Sequence, residues 1–146
     1  MADLKRNSIN PSTIRAPFSA YSHGIVVPPN ARWLLTSGQL GVAPDDHVPD
    51  DVEAQAVLCF ENIKAILAAA DMTFDDVVRF DAFVTDRSAF PIYGRVRGRY
   101  VTASNFASTL VIVGGFTRAE FKIEVEVTAA RAELAPSLHD IAPAAR

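Results

Sequence analysis

Apolar and polar residues alternate without a break from Phe121 to Thr128, in the segment Phe-Lys-Ile-Glu-Val-Glu-Val-Thr. Successive side chains of a β-strand point to opposite faces, so this alternation predicts a strand with one apolar face. Glu124 and Glu126 then share the opposite, polar face. A strand of this kind belongs to a sheet that is covered on one side and meets solvent or another chain on the other.

Two helical segments are predicted to cover the apolar side of the sheet. The first spans about residues 51–70, with Asp50 or Asp51 as its N-cap. Its apolar residues recur at the spacing of one helical face: Ala56, Cys59, Phe60, Ile63, Ile66, Leu67 and Ala70. The second helix is predicted over residues 89–101. Its three alternating arginines spread around the helix, and we interpret them as a solvated face: Arg95, Arg97 and Arg99.

Four further segments are rich in β-branched or aromatic residues and are predicted as strands: 24–27, 33–35, 77–85 and 108–113. The first two flank a Pro-Pro-Asn turn and are expected to pair with each other as an antiparallel hairpin. The element order β-β-α-β-α-β-β predicts the α+β class, with both helices on one face of a mixed sheet. We expect a single domain over residues 1–146, with its core at about 8–133 and a loosely packed tail at 134–146.

Composition narrows the possible function classes. The net charge is -3, so the chain lacks the basic footprint of a nucleic-acid-binding protein. The apolar runs are too short for a membrane span and no signal peptide is predicted, so we expect a cytoplasmic protein. Cys59 is the only cysteine and lies in an apolar stretch, which predicts a buried thiol rather than a reactive one. The three histidines lack ligand spacing, so we expect neither a metal nor a cofactor.

Three short segments offer candidate chemistry. The segment Ser37-Gly38-Gln39 follows a predicted strand, and its glycine permits either a tight turn or the close approach of a ligand to the backbone. Tyr21 lies among polar residues just before the first predicted strand. Glu124 and Glu126 either face solvent or orient a water molecule for attack on a polarised carbon.

From about Ala16 to Arg131 the chain resembles the reactive-intermediate deaminase family, also called the YjgF or L-PSP-like family. The resemblance lies in the order and spacing of several segments: Ala16-Pro17, Ala20–His23, Ser37–Leu40, Gln55 with Asn62–Leu67, Asp75–Val78, Phe83–Asp86 and Ile123–Glu126. It implies a chorismate-mutase-like α+β fold and a homotrimer with clefts between neighbouring subunits. Active members of that family hydrolyse 2-imino or 2-aminoacrylate-type acids to 2-oxo acids and ammonia.

The resemblance also implies roles for individual residues. Tyr21 matches the family's cleft tyrosine, and Gly38, in the same motif as Gln39, matches the glycine whose N–H faces the ligand. Glu124 matches the glutamate that holds the hydrolytic water. The polar end of the ligand would meet the Gly38 N–H and the backbone near Thr109–Leu110.

Other positions depart from the family pattern. Active members clamp the substrate carboxylate with an arginine in a Pro-Ala-Arg segment, whereas the matching segment here is Phe106-Ala107-Ser108-Thr109. Ser108 therefore stands at the arginine position, and Tyr93 and Ala20 replace an asparagine and a proline. Serine cannot form the bidentate contact, whose loss costs roughly 1.5–3 kcal/mol. Arg118 is a candidate substitute cation, unless it is simply solvated.

Two hypotheses of function remain. In the first, the protein hydrolyses imine or enamine C–N bonds of a non-standard substrate, with Glu124 as the catalytic residue and with Tyr21 and Ser108 shaping the cleft. In the alternative, it is a non-catalytic trimer that binds a small metabolite. The negative net charge argues against a ribonuclease. The expected partners are a small molecule and further copies of this chain, not nucleic acid or membrane.

Overall fold

The first helix has the limits that its sequence predicts. The computed structural model describes residues 6–133, and α1 spans Val52–Ala69. The Asp51 side chain caps it by accepting a hydrogen bond from the Ala54 backbone N–H at 2.9 Å. One face of α1 is fully buried, as its apolar spacing requires.

The second helix, α2, spans Ala89–Tyr100 and confirms the predicted segment. The Asp86 carboxylate accepts a hydrogen bond from the Ser88 backbone N–H at 2.8 Å, just ahead of the first turn. Arg97 and Arg99 lie in the last turn, where positive charge is favourable for the helix dipole.

Within residues 6–133, seven strands form two sheets: β1 (Asn7–Ile9), β2 (Gly24–Val26), β3 (Ala31–Leu35), β4 (Gln39–Leu40), β5 (Val77–Val84), β6 (Ala107–Ile112) and β7 (Ile123–Ala132). The larger sheet has the order β3-β7-β5-β6, and β4 also pairs with β7. The β5–β6 pair is parallel and the other pairs are antiparallel, so the sheet is mixed as predicted. A short 3-10 helix at Phe74–Asp76, which the sequence reasoning missed, leads into β5.

The predicted hairpin between the first two apolar runs is wrong. Both runs are strands, but β2 pairs with β1 in a separate two-stranded sheet. β3 instead pairs with β7, with Leu35 opposite Thr128. The turn at Pro28 does form, since the Ala31 N–H donates to the Pro28 carbonyl at 3.2 Å. The turn residues therefore give the position of the bend but not the partners of the strands that it joins.

Both helices pack on the same face of the larger sheet. Phe60 of α1 and Val96 of α2 belong to one buried cluster with Phe80 of β5 and Val125 of β7. The alternation in β7 is confirmed, because Ile123, Val125, Val127 and Ala129 are buried while the residues between them are only partly covered.

The other face of the sheet, called the open face below, carries no helix among the described residues. Trp33 and Leu35 of β3 are 52% and 72% exposed there, and Val111 of β6 is 43% exposed. The open face thus carries exposed apolar side chains as well as the glutamates of β7. The predicted loose tail at 134–146 lies outside the described residues. Neither helix within residues 6–133 combines the length and hydropathy needed to cross a membrane.

Candidate functional site

Gly38 and Glu124 lie directly against each other. The segment between β3 and β4 runs along β7. The Thr36 N–H donates to the Val127 carbonyl, the Val127 N–H donates to the Thr36 hydroxyl, and Leu40 lies opposite Glu124. A Cβ placed on Gly38 would lie 2.0 Å from Oε1 of Glu124. Only a glycine therefore allows this carboxylate to lie over the backbone at residue 38.

The Glu124 carboxylate is also available for chemistry. It lines a shallow cavity of about 330 Å³ on the open face, together with Glu126, Phe83 and Phe116. None of the ion pairs formed within residues 6–133 involves Glu124. A carboxylate without a cation partner retains its lone pairs for a water molecule.

A second, larger cavity of about 770 Å³ contains three of the other predicted residues. Tyr21, Ser108 and Leu110 line it, together with residues of α2. The Tyr21 segment is fixed beside β6, because Ser22 donates its backbone N–H to the Phe106 carbonyl and its hydroxyl to the Ser104 carbonyl, both at 2.8 Å. The cavity therefore lies between the N-terminal segment, α2 and the edge strand β6.

Arg97 also lines this cavity, and its interpretation as part of a solvated face is wrong. The residue is only 8% exposed. Its Nη1 donates to the Ser108 hydroxyl at 3.1 Å. The guanidinium carbon lies 4.9 Å from the ring centre of Phe106 and 5.4 Å from that of Tyr93. Arg95 and Arg99, by contrast, are exposed and pair with Glu53.

The periodicity of α2 contains the signal that locates Arg97. Tyr93, Val96, Arg97 and Tyr100 follow the 3-4 spacing of one helical face, and the first three are buried. An arginine on an apolar stripe is therefore predicted to point inward, even where the adjacent arginines in the sequence are exposed.

Tyr93 places a second polar group beside Arg97. Its side chain is 2% exposed, and its hydroxyl has no hydrogen-bond partner among residues 6–133. Burial raises the pKa of this hydroxyl, and the nearby charge of Arg97 opposes the shift. The Arg97 and Ser108 side chains also lie close enough to this hydroxyl to lower its pKa, so the three polar groups form one cluster beside the cavity.

Three other candidates lie elsewhere. Thr109 is on the open face, where its hydroxyl accepts a hydrogen bond from Arg79 at 2.9 Å. The Gln39 side chain turns back to the Ser37 carbonyl at 3.2 Å. Arg118 pairs with Asp46 at 3.0 Å and with Glu120 at 2.6 Å, so its charge is already matched by two carboxylates.

The two cavities cannot form one site within a single chain. Ser108 lies opposite Phe80 of β5, whereas Glu124 lies opposite Phe83 of the same strand. Residues three apart on a strand point to opposite faces, so Ser108 is on the helix side and Glu124 on the open face. β6 and β7 flank β5, which separates them by about 10 Å at the usual strand spacing.

The remaining reactive groups do not form a competing centre. Cys59 is fully buried in α1, which confirms that prediction, and burial raises the pKa of its thiol to about 12. Within residues 6–133 no three His, Cys, Asp or Glu side chains are grouped so that they could hold a metal ion.

Comparison with known proteins agrees with this architecture. Protein DfrA of Myxococcus xanthus is 34% identical over 131 residues, which cover 88% of this chain and 98% of that protein. The 2-iminobutanoate/2-iminopropanoate deaminase of Escherichia coli K12 is 35% identical over 104 residues, which cover 68% of this chain and 80% of that enzyme. The crystal structure of YyfB from Yersinia pestis, a protein of unknown function of the Rid family, matches with a TM-score of 0.75 and 25% identity, over 86% of this chain and 98% of that one.

A family model confirms the resemblance that the sequence motifs suggested. The model described as Endoribonuclease L-PSP matches residues 13–131, which is most of the chain. The match includes Gly38, Glu124 and the strands that border the two cavities, β5, β6 and most of β7. The chain therefore belongs to the Endoribonuclease L-PSP family, whose members include reactive-intermediate deaminases of the Rid type.

Proposed function

We propose that this protein hydrolyses the imine or enamine C–N bond of a small molecule, in clefts between the subunits of a homotrimer. The observation that carries the proposal is the Glu124 carboxylate lying over Gly38, with no cation to neutralise it within residues 6–133. A carboxylate beside a backbone N–H can hold a water molecule and a polarised substrate together.

The reaction follows from this arrangement. The water oxygen bonds to the imine carbon while the C=N electron pair moves to nitrogen, and Glu124 accepts the water's proton. The resulting carbinolamine collapses to a carbonyl as the C–N bond breaks. Glu124 passes this first proton to the nitrogen before the collapse, and it then carries the hydroxyl proton of the carbinolamine to the departing nitrogen. Both protons of the water therefore leave with the nitrogen, and imine and water become a carbonyl compound and ammonia. The relative from Escherichia coli is named for such a deamination.

Two features support clefts between subunits. The Glu124 half and the Ser108 half of the predicted site face opposite sides of one sheet, so a complete site requires a second chain. Trp33 and Leu35 are exposed on the open face, where a neighbouring subunit would bury them.

The substrate is proposed to differ from the usual small 2-imino acids of the family. Ser108 stands where the family resemblance places a carboxylate-binding arginine, and a hydroxyl cannot replace a guanidinium fork. The same substitution favours the second candidate function, a trimer that binds a metabolite without turnover.

Ammonia release from imines generated in solution distinguishes the two candidates. We expect Glu124→Gln to lower the rate by about 100-fold or more, as the loss of a general base does. Glu126→Gln is the comparison variant, since Glu126 lines the same cavity while the three atoms nearest to a Cβ on Gly38 all belong to Glu124. Equal rates for Glu124→Gln and wild type would refute the hydrolase, and saturable binding without ammonia release would favour the binding trimer.

A further inference from the structure

Arg97 is a buried cation without an acidic partner. It is 8% exposed, and none of the ion pairs formed within residues 6–133 includes it. Arginine is rarely buried unless its charge is paired, because desolvation of an unpaired charge is costly. Its neighbours Arg95 and Arg99 on the same helix both have a carboxylate partner, Glu53. The position therefore suits an anion that a ligand supplies.

The guanidinium is also held in one orientation. Phe106 and Tyr93, each 2% exposed, contact it with their rings, and the Ser108 hydroxyl accepts one of its five N–H groups. Tyr93 and Ser108 line the same cavity as Arg97. A guanidinium held in one orientation presents a planar fork that matches the two oxygens of a carboxylate.

The rest of the cavity wall is largely apolar. Phe18, Tyr21, Phe90 and Leu110 line the space in front of Arg97. The volume of about 770 Å³ lies within the range of small-molecule sites. A ligand that reaches Arg97 with a carboxylate therefore places its remaining atoms against aromatic and aliphatic side chains.

We infer that Arg97 binds the substrate carboxylate, and that the substrate is a 2-imino acid with a large apolar side chain; this substrate assignment rests on the proposed function. The cation comes from α2 rather than from β6. Serine at position 108 is then a requirement, because a second arginine there would repel Arg97 and remove the hydroxyl that orients it.

Calorimetry on the full chain tests the anion site without any turnover. The probes are phenylpyruvate, its uncharged carboxamide, and pyruvate. We expect phenylpyruvate to bind more tightly than the other two, and Arg97→Met to weaken its binding by about 10- to 150-fold. Arg97→Lys keeps the positive charge but loses the planar fork, so its affinity for phenylpyruvate should lie between those of the wild type and Arg97→Met. Arg95→Met, on the exposed side of α2, is the matched control and should bind like wild type.

Three results would overturn the inference: no binding of phenylpyruvate to the wild type, equal binding of acid and carboxamide, or equal binding by wild type and a folded Arg97→Met. Turnover is measured separately, with the imine generated from phenylalanine by an amino-acid oxidase. Binding that depends on Arg97 without ammonia release would refute the proposed function while leaving the anion site intact. Ammonia release that depends on Glu124 but not on Arg97 would refute this inference alone.

Discussion

Gly38→Ala is the sharpest test of the Glu124 site, because it displaces the carboxylate without altering any titratable group. The new Cβ would lie 2.0 Å from Oε1, 2.6 Å from Cδ and 2.9 Å from Cγ of Glu124. All three distances are shorter than any tolerable contact, so the Glu124 side chain must rotate away. The atoms that clash are the far end of a flexible side chain, and the backbone of β7 need not move.

The expected changes in stability and in rate follow because the side chain of Glu124 moves and the backbone of β7 does not. Rotation of a partly exposed glutamate costs little, so we expect the free energy of unfolding to fall by less than about 1 kcal/mol. Loss of a positioned general base lowers a rate by about 10²- to 10⁴-fold. Gly38→Ala should therefore retain the fold and lose most of the ammonia release.

Two other glycines provide controls. A Cβ on Gly41 would lie 2.5 Å from the Cα of Gln55 in α1, where the backbone cannot yield, so Gly41→Ala should cost about 1–3 kcal/mol or more. A Cβ on Gly98 meets nothing within 4 Å, so Gly98→Ala should stabilise α2 by roughly 0.5–1 kcal/mol.

Urea denaturation followed by circular dichroism, with ammonia release on the same samples, measures both quantities. The reasoning fails if Gly38→Ala turns over substrate at the wild-type rate. It also fails if Gly38→Ala is as unstable as Gly41→Ala, since the clash would then involve more than one side chain.

Three further outcomes test the rest of the structure. Gln55→Leu should lower the free energy of unfolding by about 3 kcal/mol in urea melts. It leaves the Pro49 and Glu120 carbonyls and the Lys122 N–H without their hydrogen-bond partner. Cys59 should react with a thiol reagent at pH 8 only after unfolding. Because burial raises its pKa from 9.0 to about 12, the free energy of unfolding should fall as the pH rises from 9 towards 12. Cys59→Ala should remove this contribution to the pH dependence of the free energy of unfolding. Leu35→Glu should shift sedimentation towards the monomer.

Local patterns predicted the elements well, and strand partners poorly. The limits of α1 lie within one residue of the predicted ones, because they depend on spacing within one segment, which the sequence contains directly. β7 (Ile123–Ala132) starts two residues later and ends four residues later than the alternating segment 121–128, because its pairing with β3 extends it. The pairing of β3 with β7 joins residues almost a hundred positions apart, and the residues near the turn at Pro28 do not determine that pairing. The hairpin prediction failed because a turn constrains only the chain beside it.

The candidate site was predicted unevenly for a related reason. Gly38 and Glu124 came from family motifs, and the structure brings them into contact. Arg97 was missed because three alternating arginines were interpreted as one group, although their helical positions differ. Burial of one of them depends on Phe106 and Ser108, which follow α2 in the chain and become its neighbours only when β6 packs beside it.

A mixture of two inactive variants tests the division of the site between chains. Arg97 and Glu124 belong to cavities on opposite sides of the same sheet, so in the proposed trimer each cleft would take one of them from each neighbour. When Arg97→Met and Glu124→Gln subunits are unfolded together and refolded at equal amounts, half of the subunits supply an intact Arg97 and half an intact Glu124. About one cleft in four then holds both, so the mixture should regain about a quarter of the wild-type rate. A site contained within one chain would regain nothing, and that result would refute the shared cleft.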